Sequence, residues 1–219
     1  MNSFVVYSVP GSPFGRAVLV ALEEKGAKYR FTPVAPKTLR TSEHLARHPF
    51  GKVPVIDHGA FRLYESQAIL RYLDRVLPGP ALTPTDPQAA ARMDQLMNVN
   101  DWYLFQQVAS VITFQRIVGP RLIALTPDEA AIAAAMPKAQ TVFDELARQL
   151  SDRPFFAGDS LSLADVLLAP QLDLLQETPE WEPLTAKHAK LRAWLDRISA
   201  RPSMIATTWE RVAAMAQAA

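Results

Sequence analysis

Three short motifs in the first third of the chain hold side chains that could bind an anion or a small charged ligand. The first is Ser12-Pro13, which follows the apolar run Phe4–Tyr7 and the turn residues Pro10-Gly11. Serine is favoured as a helix N-cap, and proline is favoured at the first helical position. The unpaired N–H groups at such a helix start suit a phosphate or a thiolate, and they lower the pKa of a thiol. The alternative is that Ser12 merely caps its helix.

The other two motifs are Val53-Pro54 and Glu65-Ser66. A proline at a strand start removes a ladder donor, so this start must be an edge, a bulge or a cis bond. A cis bond would leave the backbone of Val53 free to pair with an extended peptide, whereas a plain strand entry would not. Glu65 could take an ammonium group while Ser66 and nearby N–H groups take a carboxylate, although simple helix capping is the alternative.

The composition excludes several other chemistries. The 219 residues include no cysteine, which excludes disulfides, cysteine-ligated metals and a cysteine nucleophile. If thiol chemistry occurs, the sulfur must therefore come from a ligand. The four histidines lack metal-binding spacing, so no metal is expected, and a net charge of +1 argues against a nucleic-acid partner. No apolar run is long enough to span a membrane and no leader signal is present, so we expect a cytoplasmic protein.

A proline-rich connector, residues 77–87, separates two differently patterned parts of the chain. Residues 1–80 alternate strand and helix signals in the order βαβαββα, which predicts an α/β domain. The part from residue 86 to residue 219 is predicted to be almost entirely helical. The predicted strands cover residues 4–7, 28–31, 53–57 and 61–64, and the predicted helices begin at Ser12, near Ser42 and at Glu65.

Within the helical part, Asp86-Pro87 is predicted to begin a long helix. Thr126–Glu129 is predicted to form a capping box with proline at the first helical position, and Ser162–Asp165 a second one. Pro137 should kink its helix or break it in two. At α-helical spacing, six residues are predicted to share one side of the long helix: Met93, Leu96, Met97, Asn100, Tyr103 and Leu104.

Taken together, these motifs occur in an order that is specific to one family. The segments that match it are Gly11–Val18 with Leu22–Gly26, His48–Ile56, Leu63–Ile69, Gly158–Asp165 and Ala200–Ser203. They resemble the first helix, the cis-proline motif, the Glu-Ser motif, the helix-capping segment and the C-terminal signature of cytosolic glutathione S-transferases. The resemblance is to the serine type, found in the theta and phi classes and in many bacterial members, and it covers essentially the whole chain.

The resemblance implies a thioredoxin-like glutathione-binding domain at 1–80 and an all-helical domain with a hydrophobic substrate pocket at 86–219. It also implies that Ser12 donates a hydrogen bond to the glutathione sulfur and stabilises the thiolate. Tyr7 is the alternative donor, because tyrosine-type members carry their catalytic hydroxyl at the end of the first strand. Ser12 is favoured because the run from Ser12 to Val18 fits the serine type without a gap; Tyr7 would then lie in the core or a pocket wall.

The remaining glutathione contacts are also implied by the resemblance. Lys52 would contact the glycyl carboxylate, and the backbone of Val53, held by a cis proline at Pro54, would pair with the cysteinyl unit. Glu65 and Ser66 would bind the γ-glutamyl group. An excess of basic over acidic side chains in residues 1–80 suits an anionic tripeptide.

The implied function is a transferase that conjugates glutathione to a small apolar electrophile in detoxification. Glutathione is the co-substrate, no other cofactor is needed, and the family further implies a homodimer. The aromatic side chains that could line the electrophile pocket, although helical spacing also fits a core, are Tyr7, Phe14, Trp102, Phe105 and Phe114. The alternative is a non-catalytic glutathione-binding or protein-interaction module of the same fold.

Overall fold

A four-stranded sheet forms the centre of the N-terminal part of the chain. The structure is a computed structural model that describes residues 3–217 of the 219. The strand order is β2-β1-β3-β4, with β1 parallel to β2 and antiparallel to β3. The strands are β1 (Phe4–Ser8), β2 (Tyr29–Pro33), β3 (Val55–His58) and β4 (Phe61–Tyr64). The helices are α1 (Pro13–Glu24), α2 (Ser42–Arg47) and α3 (Ser66–Val76), with a 3-10 turn at Pro36–Thr38. This element order confirms the predicted βαβαββα domain.

The close approach of α1 to β1 depends on one glycine. A Cβ built on Gly15 would overlap the side chain of Ser8, so only glycine lets the first turn of α1 lie this near the end of β1. Ser12 is the N-cap and Pro13 the first helical residue, as the sequence predicts. Gly26, at a φ of +61°, follows the end of the helix.

The second unit, residues 82–200, is helical. Two aromatic pairs lie in its core: Trp194 packs edge-on against Phe156 with ring centres 4.9 Å apart, and Phe143 against Trp181. Within residues 3–217, no helix is both long and apolar enough to cross a bilayer. The elements are α4 (Pro87–Val99), a π-helical segment (Asn100–Val118, the π segment), α5 (Gly119–Ile123), α6 (Glu129–Leu150), α7 (Leu163–Leu175), α8 (Trp181–Thr185) and α9 (Ala189–Ser199).

Two expectations for this unit differ from the structure, and a third is narrowed to one outcome. The sequence predicts Tyr103 on the same side as Leu104, but it is 52% exposed whereas Leu104 is buried. The segment is π-helical, and its buried residues recur every four or five positions, which leaves Tyr103 off the buried side. Of the two outcomes expected at Pro137, the break does not occur, because α6 continues from Glu129 to Leu150, and the kink stays a prediction. The predicted capping box at Thr126 is wrong, because the side chain of Asp128 caps the helix by accepting from the backbone N–H of Ala131.

The C-terminal residues belong to the first unit. Residues 201–217 pack with residues 3–81, whereas the sequence-based division assigned residues 86–219 to the helical domain. Helix α10 (Pro202–Ala206) packs against α1, and helix α11 (Trp209–Gln217) packs against β2. This difference arises because an amphipathic helix shows that it is half buried but not which surface it covers.

The capping box at Ser162–Asp165 forms as predicted. The fully buried carboxylate of Asp165 accepts hydrogen bonds from the backbone N–H and the hydroxyl of Ser162, from the backbone N–H of Phe156 and from the indole Nε1 of Trp194. One side chain therefore connects the start of α7 to the loop before it and to α9.

Asp165→Ala should lower the free energy of unfolding by about 3–5 kcal/mol, because it leaves several buried donors without an acceptor. Denaturant titration measures this loss. Asp159→Ala, at an exposed position six residues earlier, is the matched control and should change stability by less than about 0.5 kcal/mol. Equal losses in the two variants would contradict the role given to the buried carboxylate.

Candidate active site

Three chain segments meet at one end of the sheet because of the strand register. β1 ends at Ser8, β3 begins at Val55 and β4 ends at Tyr64. In the antiparallel pairs Val55 lies opposite Tyr7 on one side and opposite Tyr64 on the other. The residues just beyond these ends include Ser12, Pro54 and Glu65, so the three predicted motifs lie at the same edge of the sheet.

Two helices also start at this edge. Helix α1 begins after Ser12, helix α3 begins after Glu65, and the two helices pack against each other. The first N–H groups of both helices have no partner within their helix, so both ends carry partial positive charge. The backbone of Glu65 has a φ of +72°, which is unusual for a residue with a Cβ and turns the chain sharply from β4 into α3. The arrangement favours an anionic ligand.

The hydroxyl of Ser12 is well placed to donate a hydrogen bond. Its Oγ accepts from the backbone N–H of Gly15 at 3.2 Å, and the side chain is half-buried. The N–H of Ser12 itself donates to the carbonyl of Val9 at 3.0 Å, which fixes the turn before the helix. A hydroxyl that accepts one bond keeps its own proton for donation, so Ser12 can stabilise an anion placed at the start of α1.

Tyr7, the alternative donor, makes a different set of contacts. Its hydroxyl donates to Oδ2 of Asp57 at 3.1 Å, and Arg62 binds both oxygens of that carboxylate at 2.7 and 2.8 Å. Hydrogen bonding from Arg62 holds the pKa of Asp57 below its ordinary value, so the acceptor stays ionised. The guanidinium of Arg47 lies 4.9 Å from the centre of the Tyr7 ring. The Tyr7 hydroxyl therefore donates its proton to Asp57, which favours Ser12 as the candidate donor to a bound anion.

The loop before β3 has the cis bond that the resemblance implied. The Val53–Pro54 peptide bond is cis, Pro54 is buried and Val53 is half-buried. The exposed residue Lys52 is held through its carbonyl, which lies 2.9 Å from Nε2 of His44. The loop is therefore fixed by its backbone while the ammonium group of Lys52 faces solvent.

Arg40 is a further cation near this loop, and the sequence analysis missed it. A Cβ built on Gly51 would lie 3.3 Å from Nη1 of Arg40 and 2.7 Å from the carbonyl of Leu39. The guanidinium therefore lies against Gly51, the residue that precedes Lys52 in the chain. No local signal could have revealed this contact, because eleven positions separate the two residues in a region without regular periodicity.

A group of aromatic rings joins the cis-proline loop to the end of β4. The ring centre of the buried His48 lies 4.6 Å from that of Tyr64, and the exposed ring of Phe50 packs edge-on against both. Burial lowers the pKa of His48, and the nearby charges of His44 and Lys52 lower it further. His48 is therefore neutral at neutral pH and packs as an aromatic ring.

The similarity of the chain to known proteins agrees with this geometry. Residues 2–75 match the glutathione S-transferase N-terminal domain, and residues 105–202 match the glutathione S-transferase C-terminal domain. A glutathione S-transferase from Hyoscyamus muticus is 31% identical over 88% of this chain and 91% of that protein. The chain belongs to the glutathione S-transferase family. The family and the enzyme class predicted from the sequence, a glutathione S-transferase, are both confirmed.

Solved structures of the family match nearly the whole chain. Glutathione transferase F7 from Populus trichocarpa has a TM-score of 0.83 and 27% identity, over 97% of this chain and 99% of that one. A glutathione S-transferase-I bound with lactoylglutathione has a TM-score of 0.82 and 29% identity over the same shares of the two chains. These matches confirm the predicted thioredoxin-like domain followed by a helical domain.

The aromatic residues proposed for the electrophile pocket of this transferase lie in both units. Trp102 is 60% exposed, Phe114 is 37% exposed and Phe105 is half-buried, and all three belong to the π segment. Phe14 is half-buried in the first turn of α1. Their part in a pocket stays a prediction. Among residues 3–217, no three histidine, aspartate or glutamate side chains are grouped so that they could hold a metal ion.

We expect the stability of the transferase to fall as the pH is lowered through the ordinary histidine pKa of about 6.5, because His48 has a lowered pKa in the folded state. At such pH values the unfolded chain binds more protons than the folded chain. The contribution of His48 to the free energy of unfolding is therefore complete above pH 6.5 and is lost as the pH falls towards the lower pKa that His48 has in the folded state. Denaturant unfolding at several pH values between 5 and 7 measures the slope. His48→Phe keeps a ring without the titration and should show a shallower slope; equal slopes would exclude His48 as the source.

Proposed function

We propose that this transferase ionises bound glutathione at Ser12 and conjugates the thiolate to an apolar electrophile. The observation that supports the proposal best is the position of the Ser12 hydroxyl at the N-terminus of α1, where it accepts from Gly15 and keeps a proton to donate. A free thiol with a pKa of about 8.5 is only a few per cent ionised at neutral pH. A donated hydrogen bond and the helix N-terminus together lower this pKa and make the thiolate dominant.

The other contacts would hold the tripeptide in an extended form. Glu65 binds its ammonium group, and Ser66 with the first N–H groups of α3 binds the γ-glutamyl carboxylate. The backbone of Val53 pairs with the cysteinyl unit. Lys52 and Arg40 bind the glycyl carboxylate through their positive charges. The lactoylglutathione bound by one solved relative supports a glutathione moiety as the ligand.

The reaction then follows from a fixed thiolate. The thiol proton passes to solvent, and Ser12 donates a hydrogen bond to the sulfur without losing its own proton. The sulfur lone pair forms a bond to the electrophilic carbon, and a halide or another leaving group departs with the electron pair of the broken bond. The helix N-terminus contributes because its dipole is already oriented when the anion forms, so no reorganisation is required.

The decisive experiment is a pH titration of the ultraviolet absorbance of the thiolate of glutathione bound to the purified protein. A signal that persists well below the pKa of the free thiol supports the transferase. Binding without a thiolate signal would favour the alternative, a non-catalytic glutathione-binding or protein-interaction module. No observation favours that alternative now.

Ser12→Ala should raise the pKa of the bound thiol by about one to two units. At pH values below the new pKa, kcat should fall about 10- to 100-fold, because the thiolate fraction falls. The KM for glutathione should change much less, since Ser12 contacts only the sulfur. Steady-state kinetics with an aromatic halide measure both constants. Tyr7→Phe is the matched comparison and should keep kcat within about twofold. A large loss in Tyr7→Phe with normal Ser12→Ala kinetics would reverse the assignment.

Lys52→Met and Arg40→Met should each raise the KM for glutathione about 3- to 30-fold and leave kcat nearly unchanged, because they remove binding that is equal in the ground and transition states. Glutathione saturation curves for the two variants give both constants. Lys37→Met removes a cation from the exposed 3-10 turn and serves as the control. A fall in kcat at unchanged KM would contradict a role in carboxylate binding.

The finer parts of the assignment are proposals as well. We propose a homodimer, a cytoplasmic location and a role in detoxification. The exposed ring of Phe50, 63% accessible beside the cis-proline loop, is an apolar surface that a second copy of the chain would cover. Exposed aromatic side chains of the π segment support an apolar second substrate.

A further inference from the structure

The C-terminal tail of the chain, residues 201–217, is fastened to the helix that begins at Ser12. Arg201 binds both carboxylate oxygens of Glu24 at 2.7 Å, and the hydroxyl of Ser203 donates to the same carboxylate at 2.5 Å. Burial alone would raise the pKa of Glu24, but these hydrogen bonds outweigh it and the pKa is lowered. The carboxylate therefore stays ionised and holds the tail to the last turn of α1.

The tail also contacts the first turn of α1. Nη2 of Arg16 donates to the carbonyl of Met204 at 3.1 Å, and the side chain of Met204 is fully buried. Further along, Val212 in α11 is buried where this helix packs against β2. The tail therefore contacts both ends of α1 through residues 201–204, and α11 fixes it to β2.

The indole ring of Trp209 lies directly against the loop that precedes α1. A methyl group built on Gly11 would lie 2.5 Å from three carbons of the ring, so the ring leaves space for a glycine only. Gly11 has a φ of +85° and follows Pro10, and the N–H of Ser12 donates to the carbonyl of Val9. Proline followed by a residue of positive φ is typical of a type II turn. The ring therefore covers the turn that delivers Ser12.

We propose that Trp209 is a positioning residue for Ser12, an inference that rests on the thiolate-stabilising role proposed above. A donor stabilises an anion best when its position is fixed before the anion forms, and small displacements weaken it strongly. The half-buried Trp209 prevents the Val9–Ser12 turn from moving outward, so the hydroxyl stays in line with the N-terminus of α1. In this proposal Trp209 acts on Ser12 through the turn.

Trp209→Ala tests the proposal through the pKa of the bound thiol. We expect this pKa to rise by about one unit. At pH values below it, kcat should fall about tenfold, while the KM for glutathione changes by less than about twofold. Trp209→Phe keeps a flat ring against Gly11 and should recover most of kcat. Ile205→Ala removes an exposed side chain from the same tail and should leave both constants unchanged.

A second readout needs no glutathione. Hydrogen exchange of the Ser12 amide, which donates to Val9, should be faster in Trp209→Ala than in Ile205→Ala. If Trp209→Ala does not fold, Trp209→Leu keeps apolar volume without the flat face and takes its place. Faster exchange in a protein that forms no thiolate would refute the proposed function but not the contact. Unchanged exchange and thiol pKa, or a loss of activity that is equal at every pH, would refute the positioning role.

Discussion

The antiparallel pairing of β1 with β3 is the constraint on which the site depends. It sets Tyr7 opposite Val55, and the β3–β4 hairpin then sets Val55 opposite Tyr64. A shift of one residue would turn the buried side chains of β1 to the other face of the sheet, which costs the burial of Phe4 and Val6. The core residues therefore fix the register, and the register in turn brings the three candidate ligand-binding segments together.

The alternation of side chains along β1 also gives Tyr7 surroundings that favour Ser12 as the proposed donor. Ser8 points towards α1, where it meets Gly15, and Tyr7 points to the opposite face, where Arg47 of α2 covers its ring. The sequence alone left Tyr7 open because its acceptor, Asp57, is fifty positions away in the chain. The acceptor becomes visible only when the pairing of β1 and β3 is known.

Features that depend on neighbours in the chain could be predicted from the sequence. The N-cap at Ser12, the turn at Gly26 and the capping box at Asp165 each need only a few consecutive residues. The position of Tyr103 could not be predicted, because the pattern assumed α-helical spacing and the segment is π-helical. Arg40 was missed for a different reason, since its contact with Gly51 is set by the path of an irregular loop.

The tail, residues 201–217, links the packing of α1 to the proposed catalytic role of Ser12. Helix α1 has the proposed thiolate-stabilising hydroxyl at its first end and Glu24 at its last turn, and the tail binds both regions. The field that a helix N-terminus exerts on an anion falls off within one turn, so it is effective only if the helix start is held in place. A C-terminal segment that packs on α1 and covers Gly11 provides that restraint from outside the sheet. The proposed function of Ser12 therefore depends on contacts at the end of the chain, far from it in sequence.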